Sequence, residues 1–190
     1  MPNGEKCNMP IQILNWISEI VAQRQDVLGL AVSQRAKFEG WLKFEMACKA
    51  EFARMDNVQL EEGYGAEEGK CRADISFSCE GVRYFVELKT SNTSLRMDGV
   101  DIKTKPTSKN IKSIIKDANK FRLQNGVGII AFVLFPIKGD YAAKYLEQIQ
   151  FGLGMAHSLC EEPYSRPITI SVDNVKVDMI ACAFSVSQTH

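Results

Sequence analysis

Two short stretches hold the residues best placed to do chemistry: Arg72-Ala73-Asp74 and Val86-Glu87-Leu88-Lys89. Glu80-Gly81, between them, suits a tight two-residue turn. Such a turn pairs Cys79 with Val82, and the constant index sum then sets Asp74 directly opposite Glu87. Opposed residues of an antiparallel pair hold their Cβ atoms about 4.5–5.5 Å apart, so two carboxylates there repel unless compensated. A hard divalent cation compensates them, and Mg²⁺ is typically held by one or two carboxylates plus substrate phosphate. A four-residue turn over 79–82 keeps this pairing, whereas a three-residue turn slips it by one. Lys89 follows Glu87 by two residues and shares its face, while Leu88 faces the other way. The Lys89 ammonium can orient an attacking water, accept its proton if its pKa is lowered, or stabilise charge on a phosphorane.

Glu45 is the fourth candidate. The spacing predicts a helix over 34–55 with an apolar stripe of Phe38, Trp41, Leu42, Cys48, Phe52 and Met55. Glu45 falls inside that stripe, where a carboxylate is costly unless paired or bound to a cation. Glu39 and Glu51 lie off the stripe and are weaker candidates. A solvated strand face with a salt-bridge cluster accounts for Asp74, Glu87 and Lys89 without a cation, but leaves an inward Glu45 unexplained.

Positioning these residues requires a layered domain. Ile11, Leu14, Ile17, Ile20 and Val21 recur at helical spacing, so a helix opens the chain. After the 34–55 helix come three strand-like runs: 58–64, 71–78 with Ala73, Ile75 and Phe77 on one face, and 82–90 with Tyr84, Val86 and Leu88 on one face. Residues 91–108 read as a long polar surface loop. A helix over 110–123 turns Ile111, Ile114, Ile115, Ala118 and Phe121 inward. The continuous apolar run 127–137 suits a strand buried on both faces. Residues 141–159 read as mainly helical, and 168–186, split by Asp173-Asn174, as a C-terminal hairpin. The expected class is α/β, one domain over 1–190, with a central mixed sheet flanked by helices, an N-terminal helix and a C-terminal hairpin.

Lys43-Phe44-Glu45, Arg72-Ala73-Asp74 and Glu87-Leu88-Lys89 together resemble the PD-(D/E)xK nuclease superfamily, with its restriction-endonuclease-like fold. The resemblance covers about 34–137. It implies Mg²⁺- or Mn²⁺-dependent cleavage of DNA, less often RNA, as an endonuclease in restriction, repair or defence. It implies that Asp74, Glu87 and the Leu88 carbonyl bind metal, that Lys89 handles the water, and that Glu45 supports the metal or its waters. Ala73 stands where the family's naming proline would be, and no Gln-x-x-x-Tyr element follows the lysine. A homodimer is implied by analogy only, with the 141–159 helix or the C-terminal hairpin as its surface.

Lys109, Lys112, Lys116 and Lys120 recur at steps of three and four and form one stripe on the helix after Lys89. Lys103, Lys105 and Arg96 lie in the loop before it. This cluster suits a phosphate backbone, and a soluble helix face accounts for it about as well. The 190-residue chain has a formal net charge of zero, so attraction to phosphate must come from such local clustering. That neutrality also keeps open an inactive nucleic-acid-binding or scaffolding module on the same fold. Six cysteines without a CxxC pair, and only two histidines, argue against a zinc finger and for reduced thiols. The N-terminal residues lack a secretory pattern and no apolar run is long enough for a membrane span, so a cytoplasmic location is expected. Trp16 and Trp41 read as core, and the glycine pairs at 63/65 and 152/154 lack the context of phosphate-binding loops.

Overall fold

The centre of the architecture is β4 (Val127–Ile137), whose residues are buried along nearly their whole length. In the computed structural model, residues 8–64, 71–93, 95, 107–121, 126–139, 141–155, 162–172 and 175–186 are described. Three helices, α1 (Met9–Gln23), α2 (Gln25–Ser33) and α3 (Glu39–Phe52), precede β1 (Asp56–Leu60), β2 (Ile75–Cys79) and β3 (Val82–Asn92). Then come α4 (Thr107–Ala118), β4, α5 (Tyr141–Met155), β5 (Tyr164–Val172) and β6 (Val175–Val186). The strands form one mixed sheet in the order β1-β2-β3-β4-β6-β5. Only β3 and β4 run parallel, joined through α4; the other neighbours are antiparallel.

Period-two alternation along β4 divides the core into two layers. Ile129, Ala131, Val133 and Phe135 face the layer under α1, α2 and α3, while Ile130, Phe132 and Leu134 face the layer under α4 and α5. The α/β class, the buried fourth strand, the inward face of α4 and the C-terminal hairpin are as the sequence pattern predicts. Among the described residues no helix is long and apolar enough to cross a membrane. Cys48, Cys71 and Cys182 are free thiols, and burial pushes the Cys182 pKa up.

Three expectations change. Residues 25–33 form a separate helix, so the helix expected from position 34 begins at Glu39. That helix is also rotated from its predicted face: Leu42, Met46 and Ala50 are its buried row, whereas Cys48 and Phe52 are exposed. Lastly, Ala73 packs in the layer opposite that of Ile75 and Phe77, because the chain bends at Asp74 and strand β2 starts only at Ile75. Lys103, Lys105, Arg96, most of the expected long loop and the Asp173-Asn174 turn lie outside the described residues.

Candidate active site at the open edge of β3

The hairpin β2–β3 has the register its turn dictates. Glu80 and Gly81 both have positive φ, 50° and 77°, as a two-residue type I′ turn requires. Cys79 pairs with Val82, Phe77 with Tyr84 and Ile75 with Val86. Because the turn closes on Cys79 and Val82, alternate residues of β3, the even-numbered ones, direct their backbone groups at β2. β2 stops opposite Val86, yet β3 runs six residues further, to Asn92. Among the described residues, the edge beyond Val86 therefore presents backbone groups with no strand beside them.

Carboxylates take that place. The Leu88 N–H donates to Asp74 Oδ2 at 2.8 Å, and the Thr90 N–H donates to Glu39 Oε2 at 3.1 Å. Thr90 Oγ1 in turn accepts from the Phe38 N–H at 3.2 Å, which ties the start of α3 to the same edge. By the alternation described above, the Leu88 carbonyl faces this edge as well. Each acid thus satisfies a donor that would otherwise be left to water.

Glu87 and Lys89 project from β3 toward α4. Lys89 Nζ lies 2.8 Å from Glu87 Oε1, 3.4 Å from Asp117 Oδ2 and 3.7 Å from Glu39 Oε1. Asp117, on α4, is only 6% exposed, and its other oxygen takes Lys120 Nζ at 2.5 Å. Lys43, one turn into α3, reaches 3.9 Å from Asp74 Oδ1 and is ion-paired with Glu61. The Lys43 pKa is raised, chiefly by its hydrogen bond to Glu61.

Acid is in excess here, and the titration shifts follow from that. Burial, reinforced by Asp74 and Asp117, pushes Glu87 up to about 7 despite its bond to Lys89. Burial also raises the Asp74 pKa, against the hydrogen bond from Leu88. For Lys89, burial favours the neutral amine, but Glu87, Glu39 and Asp117 outweigh it and hold the proton on. Tyr64, buried on the same side, is also raised, by burial and then by the charge of Glu87.

Asp74, Glu87, Leu88 and Lys89 are therefore brought together, although Asp74 comes from the bend before β2 and bonds the Leu88 N–H, not from a strand position paired with Glu87. Glu45 is not. Its carboxylate lies over the first layer, where Oε1 accepts from Trp41 Nε1 at 3.1 Å and pairs with Arg24 at 3.3 Å. Because α3 is rotated, Glu45 sits beside its buried row and finds its compensation in arginine. Glu39 is the carboxylate of α3 that reaches this cluster. It precedes Leu42 by three residues and Met46 by seven, which is the signal that could have found it. Asp117 follows Ile114 by three and had the same signal, an acid on the inward face of an amphipathic helix. Lys109, Lys112 and Lys116 are exposed on α4, and Lys120 is exposed in the turn just after it.

No family model, curated protein or solved structure matches this chain. What the arrangement can do must be taken from its own chemistry. Among the described residues no group of three or more His, Cys, Asp or Glu side chains converges tightly enough to hold a metal ion. The acids gather instead around Lys89. A pair of carboxylates, Asp74 and Glu87, with the Leu88 carbonyl is nevertheless a hard-oxygen donor set of the kind Mg²⁺ accepts, because that ion retains waters and takes substrate oxygens for the rest. The raised pKa values of both carboxyls mark buried negative charge that Lys89 does not fully offset. In donor chemistry and charge, though not as a ready-made cluster of three side chains, the residues suit a divalent cation.

Proposed function

We propose that this chain is a divalent-cation-dependent phosphodiesterase that cuts DNA, with RNA as the alternative substrate. The observation that carries the reading is the under-compensated pair Asp74 and Glu87 at an open strand edge, with Lys89 alongside. Asp74, Glu87 and the Leu88 carbonyl would hold Mg²⁺ or Mn²⁺. Bound there, the cation supplies charge compensation and polarisation of a phosphoryl oxygen.

The chain's own residues do the rest. Lys89 stays protonated, so it serves as a donor, orienting a water or stabilising negative charge on the phosphorus oxygens. The proton-accepting role that its spacing also allowed needs a lowered pKa, and the shift runs the other way. Glu39 and Asp117 hold the ammonium from two sides, and Glu39 also fixes α3 to β3. The exposed lysines of α4 offer a track for the phosphate backbone on the side of the sheet to which Glu87 and Lys89 point.

The test is cleavage of a panel of DNA and RNA by the full chain with Mg²⁺ or Mn²⁺, with Asp74→Ala and Lys89→Ala as controls. Cleavage that disappears in both variants is expected; no cleavage of any substrate counts against the reading. The 2.8 Å pair between Lys89 and Glu87 favours a second reading, an inactive nucleic-acid-binding module whose site is closed by its own ion pair. Calorimetry separates the two. Mn²⁺ binding that is lost in Glu87→Ala supports the enzyme, and absence of Mn²⁺ binding supports the module.

A further inference from the structure

Strands β3 and β4 are the parallel pair, so their carboxyl ends meet at one end of the sheet, where sheets of this kind take ligands. A cleft of about 320 Å³ lies there. It is lined by Thr93 just past β3, by Pro136 near the end of β4, and by Lys138, Tyr141 and Tyr145 where β4 leads into α5.

The strand side of the cleft is fixed. Thr93 is 1% exposed, and its hydroxyl donates to the Pro136 carbonyl. Arg35, between α2 and α3, donates to the Thr93 and Leu95 carbonyls at 3.5 and 2.5 Å. The helix side offers chemistry. Tyr141 and Tyr145 stand one turn apart on α5, their ring centroids 6.5 Å apart and their planes tilted by 35°. Tyr141 is 56% exposed, and Tyr145 is half-buried against the second layer. Among the described residues, neither phenol nor the exposed Lys138 ammonium has a hydrogen-bond or ion-pair partner, and no lining side chain is acidic. Two aromatic rings with free donors and one cation suit a planar ligand that carries negative charge, and a nucleotide is both.

Location points to a nucleic-acid strand as the source. Tyr145 packs in the same layer as α4, on the side of the sheet to which Glu87 and Lys89 point. Thr93 follows Lys89 by four residues, roughly 13 Å along an extended strand. That is about four steps at the ~3.4 Å rise of a nucleic-acid strand, so one strand can span both places. The volume of the cleft is at the lower end of the roughly 300–1,000 Å³ of ligand pockets, so it admits a single nucleotide and no duplex.

We propose that this cleft is a subsite for one unpaired nucleotide of a nucleic-acid strand, its base stacked on Tyr141 and Tyr145 and its phosphate beside Lys138. The inference rests on the nucleic-acid partner of the proposed function, not on the cation or the cleavage step. A base inside a duplex has both faces covered by its neighbours, so the subsite favours single strands and duplexes with an unpaired nucleotide.

The full chain in chelator, where no metal-dependent cleavage occurs, tests it. Single strands of about 12 nucleotides, each with iodouracil at one position, are irradiated and the crosslinked residues mapped by mass spectrometry. The crosslink should fall on Tyr141 or Tyr145. In fluorescence anisotropy, Tyr141→Ala and Tyr145→Leu should each weaken single-strand binding by roughly fivefold to a hundredfold and leave binding of a perfect duplex unchanged. Tyr141→Ala alters an exposed side chain, so the test stands even if Tyr145→Leu unfolds. Lys138→Gln should flatten the slope of log K against log salt for single strands by about 0.7. The wild type should prefer a duplex with one unpaired nucleotide to a perfect one, and Tyr141→Ala should erase that preference. Crosslinks that fall only on other elements overturn the inference. So do tyrosine variants that bind single strands like the wild type, or a wild type that does not bind them. Binding of thymidine monophosphate without binding of the oligonucleotide also overturns it, in favour of a site for free nucleotides. Cleavage without the tyrosine crosslink sinks the subsite alone, and the crosslink without cleavage sinks the enzyme alone.

Discussion

Replacing Glu87 with glutamine should stabilise the protein at pH 8, although it removes one partner of an ion pair. The Glu87 carboxyl titrates near about 7 in the fold, against an ordinary value of 4.5, because burial and the neighbouring Asp74 and Asp117 oppose its charge. A folded-state pKa above the unfolded one means that the contribution of this group to stability is fully present below pH 4.5 and is lost as pH rises through about 7. At pH 8 the wild type has lost about 3 kcal/mol on this account, and at pH 5 less than about 1 kcal/mol. The Glu87 side chain is 14% exposed, so solvent screening removes little of this. Glutamine keeps the shape and an acceptor for Lys89 but never ionises, so it avoids the loss. Urea unfolding of both proteins in chelator at pH 5 and pH 8 measures the gap. It should widen by roughly 2–3 kcal/mol between the two pH values. Divalent cation at ten times its dissociation constant should then restore about 1.4 kcal/mol to the wild type and much less to the variant. A glutamine variant less stable than the wild type at pH 8, or a gap that does not change with pH, would refute the charge imbalance on which the site is argued.

Further outcomes separate the residues. Glu39→Gln should lower cleavage by at least about tenfold through loss of its hold on Lys89 and the Thr90 N–H, whereas Glu45→Gln should leave cleavage intact and cost at most about 1 kcal/mol of stability. Steady-state rates and urea unfolding of the pair decide between them. Lys112→Gln combined with Lys116→Gln should weaken duplex binding on all sequences and reduce the slope of log K against log salt by about 1.8, read by fluorescence anisotropy. Gly128→Ala should lower stability by about 1–3 kcal/mol in a thermal melt, because its Cβ would lie 2.8 Å from the Phe121 ring, in a packed layer.

The hairpin was legible because a two-residue turn ending in glycine fixes the pairings from Cys79–Val82 to Ile75–Val86; the same counting sets Asp74 opposite Glu87, but the ladder ends one residue short of that pair and Asp74 lies in the bend before β2. The two-faced burial of β4 was legible for a similar reason: eleven residues with no charged side chain leave a strand nowhere to meet water. The rotation of α3 was not. Cys48 and Phe52 are apolar but exposed, and they drew the predicted face away from Leu42, Met46 and Ala50. Glu45 was drawn in with them and Glu39 was left out. Asp117 was passed over because α4 was read for its outward lysines, not for the acid on its inward side. The unequal lengths of β2 and β3, which open the edge, depend on where a chain bends, and the alternation at 71–78 continues through Asp74 without marking that bend.

An uncovered strand margin invites another chain to add itself to the sheet, which is how many aggregates begin. Here two negatively charged groups already occupy the Leu88 and Thr90 amides that such an intruder would need. On the proposed reading, the site and the protection of this margin thus depend on the same carboxylates. A variant stripped of Asp74 or Glu39 to test the proposed activity would also bare that margin, and its loss of solubility could be mistaken for a failure to fold.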